Sequence, residues 1–199
     1  MFALLSESLF MLPLLLCSLI AVAVIVHRLV SLRKAQVLPD NLVRALEDGE
    51  KAEIQSMMET DASSLGRVCR EALTGAHADR AAATSSAESC AREEVTKLQA
   101  GLSTLEVIIT IAPLLGLLGT VSGLVTVFSG LGGAEGSAAP SGSGIARGIA
   151  EALNTTIAGL VVAVPVVIAH GYFQRKIDQL TVRMERVLHR AIERFYPAS

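Results

Sequence analysis

The chain has 199 residues, 51% of them hydrophobic, 18% charged and only 4% aromatic, with a formal net charge of −2 and a mean hydropathy of +0.52. That balance excludes an ordinary soluble domain, and the near-neutral charge gives no basis for nucleic-acid binding by phosphate neutralisation. Cys17, Cys69 and Cys90 are scattered without CxxC spacing, which argues against a disulfide framework or a metal site and predicts inert thiols.

Taken in order, the apolar residues gather in three runs, about 9–26, 107–129 and 152–169, each near the roughly 20 residues needed to cross a hydrocarbon core. The first is expected to be an anchor and not a signal peptide. It lacks a basic leader, and Arg28, Arg33 and Lys34 follow it, the pattern of an uncleaved anchor. Pro13 falls near its start, where a helix tolerates the ring best. Basic residues also follow the third run (Arg175, Lys176, Arg183, Arg186, Arg190, Arg194), whereas the stretch between the second and third carries only Glu135 and Arg147. The positive-inside rule then predicts an outward N-terminus and outer loop, with the segment after the first span and the tail in the cytoplasm.

The expected organisation is all-α: a transmembrane helix over 1–27, a cytoplasmic helical segment over 28–106, a second span over 107–130, an outer loop over 131–148, a third span over 149–170, and an amphipathic cytoplasmic helix over 171–199. Within the cytoplasmic segment, Asp40 is the expected cap of a helix bearing Leu42, Val43 and Leu46. Gly49 ends it. Short helices follow over about 50–60 and 63–73, the latter closed by Gly75. From Ala78 the sequence predicts one long helix running directly into the second span. In the tail, Ile177, Leu180, Met184, Val187 and Ala191 keep a near 3.5 repeat, as for a helix packed on the other cytoplasmic helices or on a neighbouring subunit.

The second span carries Gly116, Gly119, Ser122, Gly123 and Thr126 at three- and four-residue spacing, a pattern that lets helix backbones approach closely. Gly159 in the third span belongs with these packing residues. Pro113 and Pro165 are expected to bend their helices. The outer loop, GLGGAEGSAAPSGSG, is not a phosphate-binding loop, because no Gly-Lys-Ser/Thr follows and no strand precedes it. No catalytic triad, paired carboxylates or metal spacing is present, and no cofactor is expected. His27 and His170 flank spans, where a histidine is usually an anchor.

Glu151 is the residue that calls for a function. As a first-turn glutamate it would merely complement the helix dipole. With Asn154, Thr155 and Thr156 following, it reads instead as part of a hydrophilic lining, since a carboxylate at membrane depth must face water or protein. One three-span subunit encloses little volume, so a lumen calls for a ring of copies.

Residues 111–128, IAPLLGLLGTVSGLVTVF, resemble the APLLGLLGTVxG signature of the MotA/TolQ/ExbB proton-channel family, and residues 144–165, GIARGIAEALNTTIAGLVVAVP, resemble its GIxxALxxTxxGLxxAIP signature. The large polar segment lies between the first and second spans, as in ExbB and TolQ, and not between the second and third of four spans as in MotA-type torque generators. The resemblance implies a non-enzymatic, bacterial inner-membrane motor: a homo-oligomer of five subunits around the single spans of an ExbD- or TolR-like partner, delivering ion-driven work through a TonB- or TolA-like protein. It places Glu151 on the family's third-span glutamate, Thr120 on the second-span threonine and Thr156 on the third-span threonine, all lining an ion pathway. Asn154 and Thr155 depart from the apolar or small residues common there and leave open which threonine acts. A purely structural membrane ring, with Glu151 a helix-end ornament, is the alternative from another class.

Overall fold

The computed structural model describes residues 2–49, 51–74, 79–132 and 142–197. Among the described residues every regular element is helical: α1 (Phe2–Ser31), α2 (Lys34–Val37), α3 (Asp40–Asp48), α4 (Lys51–Thr60), α5 (Ser64–Thr74), α6 (Arg80–Gln99), α7 (Leu102–Gly132) and α8 (Gly142–Phe195). Glu50, Gly75, Ala78 and Glu135, each of which entered the sequence reading, lie outside the described residues. The chain divides into two compact units, one of residues 1–26 with 101–171 and one of residues 27–100 with 172–199.

The first unit holds three helical stretches long and apolar enough to cross a membrane, with mean hydropathies of 2.5, 2.1 and 2.1. Backbone polar groups in hydrocarbon must be satisfied within the element, and a helix does this alone. The outer surfaces are apolar. Leu12, Leu15 and Leu19 of α1, Leu114, Leu117 and Val121 of α7, and Val161, Val164 and Ile168 of α8 are all exposed. In water such surfaces would drive aggregation; against acyl chains or further copies of the chain they are compatible.

The expected single helix from Ala78 into the second span does not form. α6 ends at Gln99, Ala100 turns extended with its N–H still bonded to the Thr96 and Lys97 carbonyls, and Gly101 takes φ +79. A left-handed residue stops a right-handed helix, and only glycine adopts it without a Cβ penalty. The third long helix differs from expectation in the other direction. It begins at Gly142 instead of 149 and continues unbroken through Pro165, as α7 continues through Pro113.

The second unit is a bundle of short helices closed by the α8 segment from Tyr172. Its core is Leu32, Leu38, Leu42, Leu46, Ile54, Met58, Leu65, Phe173, Ile177 and Met184, each under 2% exposed. Alanines Ala83, Ala87 and Ala91 form a buried stripe on α6, followed by Glu94 and Leu98. Asp40 is not the cap of α3: it is the first helical residue, after Pro39 at φ −63, ψ 131. Caps occur elsewhere. Asp79 accepts from the Ala82 N–H at 2.8 Å, and the Ser63 hydroxyl accepts from the Gly66 N–H at 3.0 Å. The tail is tied to its own unit by Arg183 to Asp40, Arg190 to Glu47 and Arg80 to Glu193.

Candidate ion-pathway site between α7 and α8

The site starts from missing side chains. A Cβ on Gly116 would lie 2.8 Å from the Thr155 carbonyl oxygen, on Gly119 2.6 Å from the Thr155 hydroxyl, on Gly123 2.7 Å from the Ala152 Cβ, and on Gly159 2.6 Å from the Ala112 carbonyl oxygen. Every one of these distances is below the contact limit, so α7 and α8 can pack at this separation only with glycine at all four positions. Close approach brings hydroxyls of one helix to carbonyls of the other. The Thr155 hydroxyl, on a residue only 4% exposed, lies 3.0 Å from the Gly116 oxygen and 2.7 Å from the Ala152 oxygen. The Thr120 hydroxyl donates within 3.2 Å of the Gly116 oxygen and 3.1 Å of the Ala152 oxygen, and it is also hydrogen-bonded to the Thr156 hydroxyl. Thr156 in turn reaches the Gly116 oxygen at 3.2 Å.

The structure divides the four polar residues that the sequence put on one lining. Thr155 and Thr156 turn to α7, Asn154 is exposed, and Glu151 is half-buried. The reason is the helical period. At about 100° per residue, Asn154 and Thr155 fall on opposite sides of Glu151, and Thr156 lies well round the cylinder. Glu151 is also not a first-turn residue, because α8 begins at Gly142, more than two turns earlier. Helix-dipole complementation falls off within one turn and does not account for it. The Glu151 carboxylate accepts from Arg147 Nε at 2.8 Å on its own helix, and its side chain remains 43% exposed. Sequence reading missed the Arg147 pairing and the two carbonyl acceptors, Gly116 and Ala152. The first was visible as a four-residue spacing; the second requires coordinates. Among the described residues, no three His, Cys, Asp or Glu side chains gather as a metal site.

A sequence model of the MotA/TolQ/ExbB proton channel family matches residues 27–186. The chain belongs to this family. Among similar proteins, "biopolymer transport protein ExbB-like 1" of Synechocystis sp. is 35% identical, covering 77% of this chain and 62% of the relative. Biopolymer transport protein exbB1 of Vibrio cholerae is 38% identical over 49% of this chain and 42% of its own, and the Tol-Pal system protein TolQ of Pseudomonas aeruginosa is 36% identical over 51% and 45%. The matched part therefore spans between 42% and 62% of the length of these relatives.

In this MotA/TolQ/ExbB-family chain the second unit holds a further polar centre that sequence did not reveal. Glu94, only 1% exposed, is paired with Arg67 and, at 2.7 Å, with Lys97. Burial pushes its carboxyl up, but hydrogen bonds from Arg67, Lys97 and Ser64 and the Arg67 charge outweigh it and bring it down to about 2. Glu94 is therefore an anchor between α5 and α6 that is ionised at neutral pH. Burial pushes the Cys69 thiol up, so that residue is protonated packing.

Proposed function

We propose that the chain is the ring subunit of a proton-motive-force-driven motor of the bacterial inner membrane, ExbB-like, with an ExbD-like single-span partner in a central pore that energises a TonB-like protein for outer-membrane transport. The observation that supports it is the Glu151 carboxylate, 43% exposed on a helix long and apolar enough to span a membrane and paired with Arg147 of the same helix. One chain leaves that group uncovered, and hydrocarbon cannot cover it. Several copies arranged around water can, and five is the number the family resemblance implies. In this reading Glu151, Thr120 and Thr156 line the pathway, with Thr155 and Asn154 as added polar groups. Gly116, Gly119, Gly123 and Gly159 hold the helices close, and Pro113 and Pro165 bend them. Segments 28–106 and 171–199 are cytoplasmic and the N-terminus periplasmic, by the Lys and Arg that follow the first and third spans.

The similarity to TolQ of Pseudomonas aeruginosa, a Tol-Pal system protein, supports a second reading in which the same chemistry serves a TolR- and TolA-like pair. Native mass spectrometry of the detergent-solubilised complex reads the copy number. Glu151→Gln and Glu151→Ala test the motor itself: loss of gradient-dependent uptake or envelope integrity with an intact ring is the expected result. Full function in both variants would reduce the ring to a scaffold. Deleting this chain in its host separates the two clients by whether uptake or detergent resistance fails.

A further inference from the structure

Arg147 and Glu151 are, with Glu135, the only Asp, Glu, Lys or Arg residues between positions 107 and 170. A cation and an anion one turn apart in so apolar a stretch interact strongly enough to matter to each other's chemistry. They sit one turn apart on α8, with Arg147 Nε 2.8 Å from Glu151 Oε1. Helix stabilisation is a poor account of the pair. The favourable order for an i,i+4 pair puts the acid first, and here the base comes first. The Arg147 side chain is 82% exposed and that of Glu151 43%, so the contact is weak and reversible and is not a locked structural bridge.

Resting on the reading of Glu151 as a pathway carboxylate, we propose that Arg147 is its built-in counter-cation: the guanidinium occupies the carboxylate when no ion is passing, and a transported cation must displace it. The chemistry is competition for one acceptor. While the guanidinium is bound, an arriving proton or metal cation meets a positive charge in place of an open carboxylate. Removal of the guanidinium leaves the acceptor open to a passing cation. Arg147 is thus a positioning residue that sets the threshold for ion entry. It is not itself a carrier.

The test uses the complex purified whole from host membranes through a tag on this chain, and two readouts. In liposomes holding a pH-sensitive dye, passive proton influx is compared for wild type, Arg147→Gln, Arg147→Lys and Glu151→Gln. In membranes, the rate at which N,N′-dicyclohexylcarbodiimide modifies Glu151 is followed by peptide mass spectrometry. The expected result is that Arg147→Gln raises both influx and labelling by about 1.5- to fivefold, in line with loss of one exposed ion pair, while Arg147→Lys stays near wild type. Unchanged labelling in Arg147→Gln, whatever its influx, overturns the proposal and leaves the pair as a helix ornament; so does unchanged or reduced influx where Glu151→Gln abolishes it. If Glu151→Gln conducts like wild type, the motor reading falls, and the labelling comparison still decides whether Arg147 masks the carboxylate.

Discussion

The two units solve the same packing problem with opposite materials. In the membrane unit, α7 and α8 meet through glycine, alanine and threonine, and the polar contacts are hydroxyls on main-chain carbonyls, such as Thr155 on Gly116 at 3.0 Å. In the other unit, α5 and α6 meet across a buried charge, Glu94, held by Arg67 and Lys97, in a unit whose core includes the large side chains Leu65 and Met58. In hydrocarbon the hydrophobic effect offers nothing for helix association, so shape and backbone proximity must do it. In water large apolar side chains supply the drive, and an ion cluster fixes the register at the expense of desolvation. The membrane unit should therefore be intolerant of added atoms, and the other unit intolerant of lost partners.

The largest effect is expected from Gly116→Val. Its Cβ would press on the Thr155 carbonyl oxygen and the Thr156 Cα at 2.8 and 3.0 Å, both backbone atoms that cannot step aside. A cost of about 3 kcal/mol or more should appear as loss of the intact complex on size exclusion. Gly171→Ala is the matched control: nothing lies within 4 Å of its Cβ, and thermal stability should hold or rise slightly through helix propensity.

Glu94→Gln should cost about 2 kcal/mol, read as a lower melting temperature of the second unit. The sign with pH follows from the carboxyl being lowered to about 2 from 4.5. Its contribution is complete above the unfolded value and is lost as pH falls through the folded one. The wild-type melting temperature should thus drop more steeply than that of Glu94→Gln between about pH 4.5 and 2. Equal slopes would remove Glu94 from the account of that unit's stability.

Thr155→Val keeps the shape and deletes a hydroxyl that touches two carbonyls. A loss of about 1 kcal/mol is expected, with Thr155→Ser recovering part of it. At the small end, Arg190→Ala, which removes an exposed pair with Glu47 at 3.2 Å, should leave the melting temperature unchanged. A clear drop there would mean that surface charge holds the tail to α3.

The helical class and the three apolar spans are legible in sequence because composition and run length alone carry them. The tail's Ile177, Leu180, Met184 and Val187 are likewise readable as one face, and all four are buried. The break at Gly101 was harder. Glycine permits a left-handed turn without requiring it, so a run of good helix formers on both sides reads as continuous. The site divides in the same way. Glu151, Thr120 and the glycines stand out as polar or small residues in an apolar background. Which threonine meets which carbonyl depends on the rotation of α8 about its axis, and the sequence period gives only the angles between residues, not which face is turned to α7. Glu94 was invisible for another reason. It sits among Arg92, Glu93 and Lys97 in a charged stretch that looks solvated, and only the fold turns that one carboxylate inward.

The threonine cluster has a surplus of ways to be satisfied. Three hydroxyl hydrogens are shared among the Gly116 and Ala152 oxygens and the hydroxyl oxygens themselves. Several orientations of the O–H bonds fit the same heavy-atom positions. Such a cluster is a soft dielectric embedded in a rigid joint: a charge moving nearby can swing its dipoles without shifting either backbone.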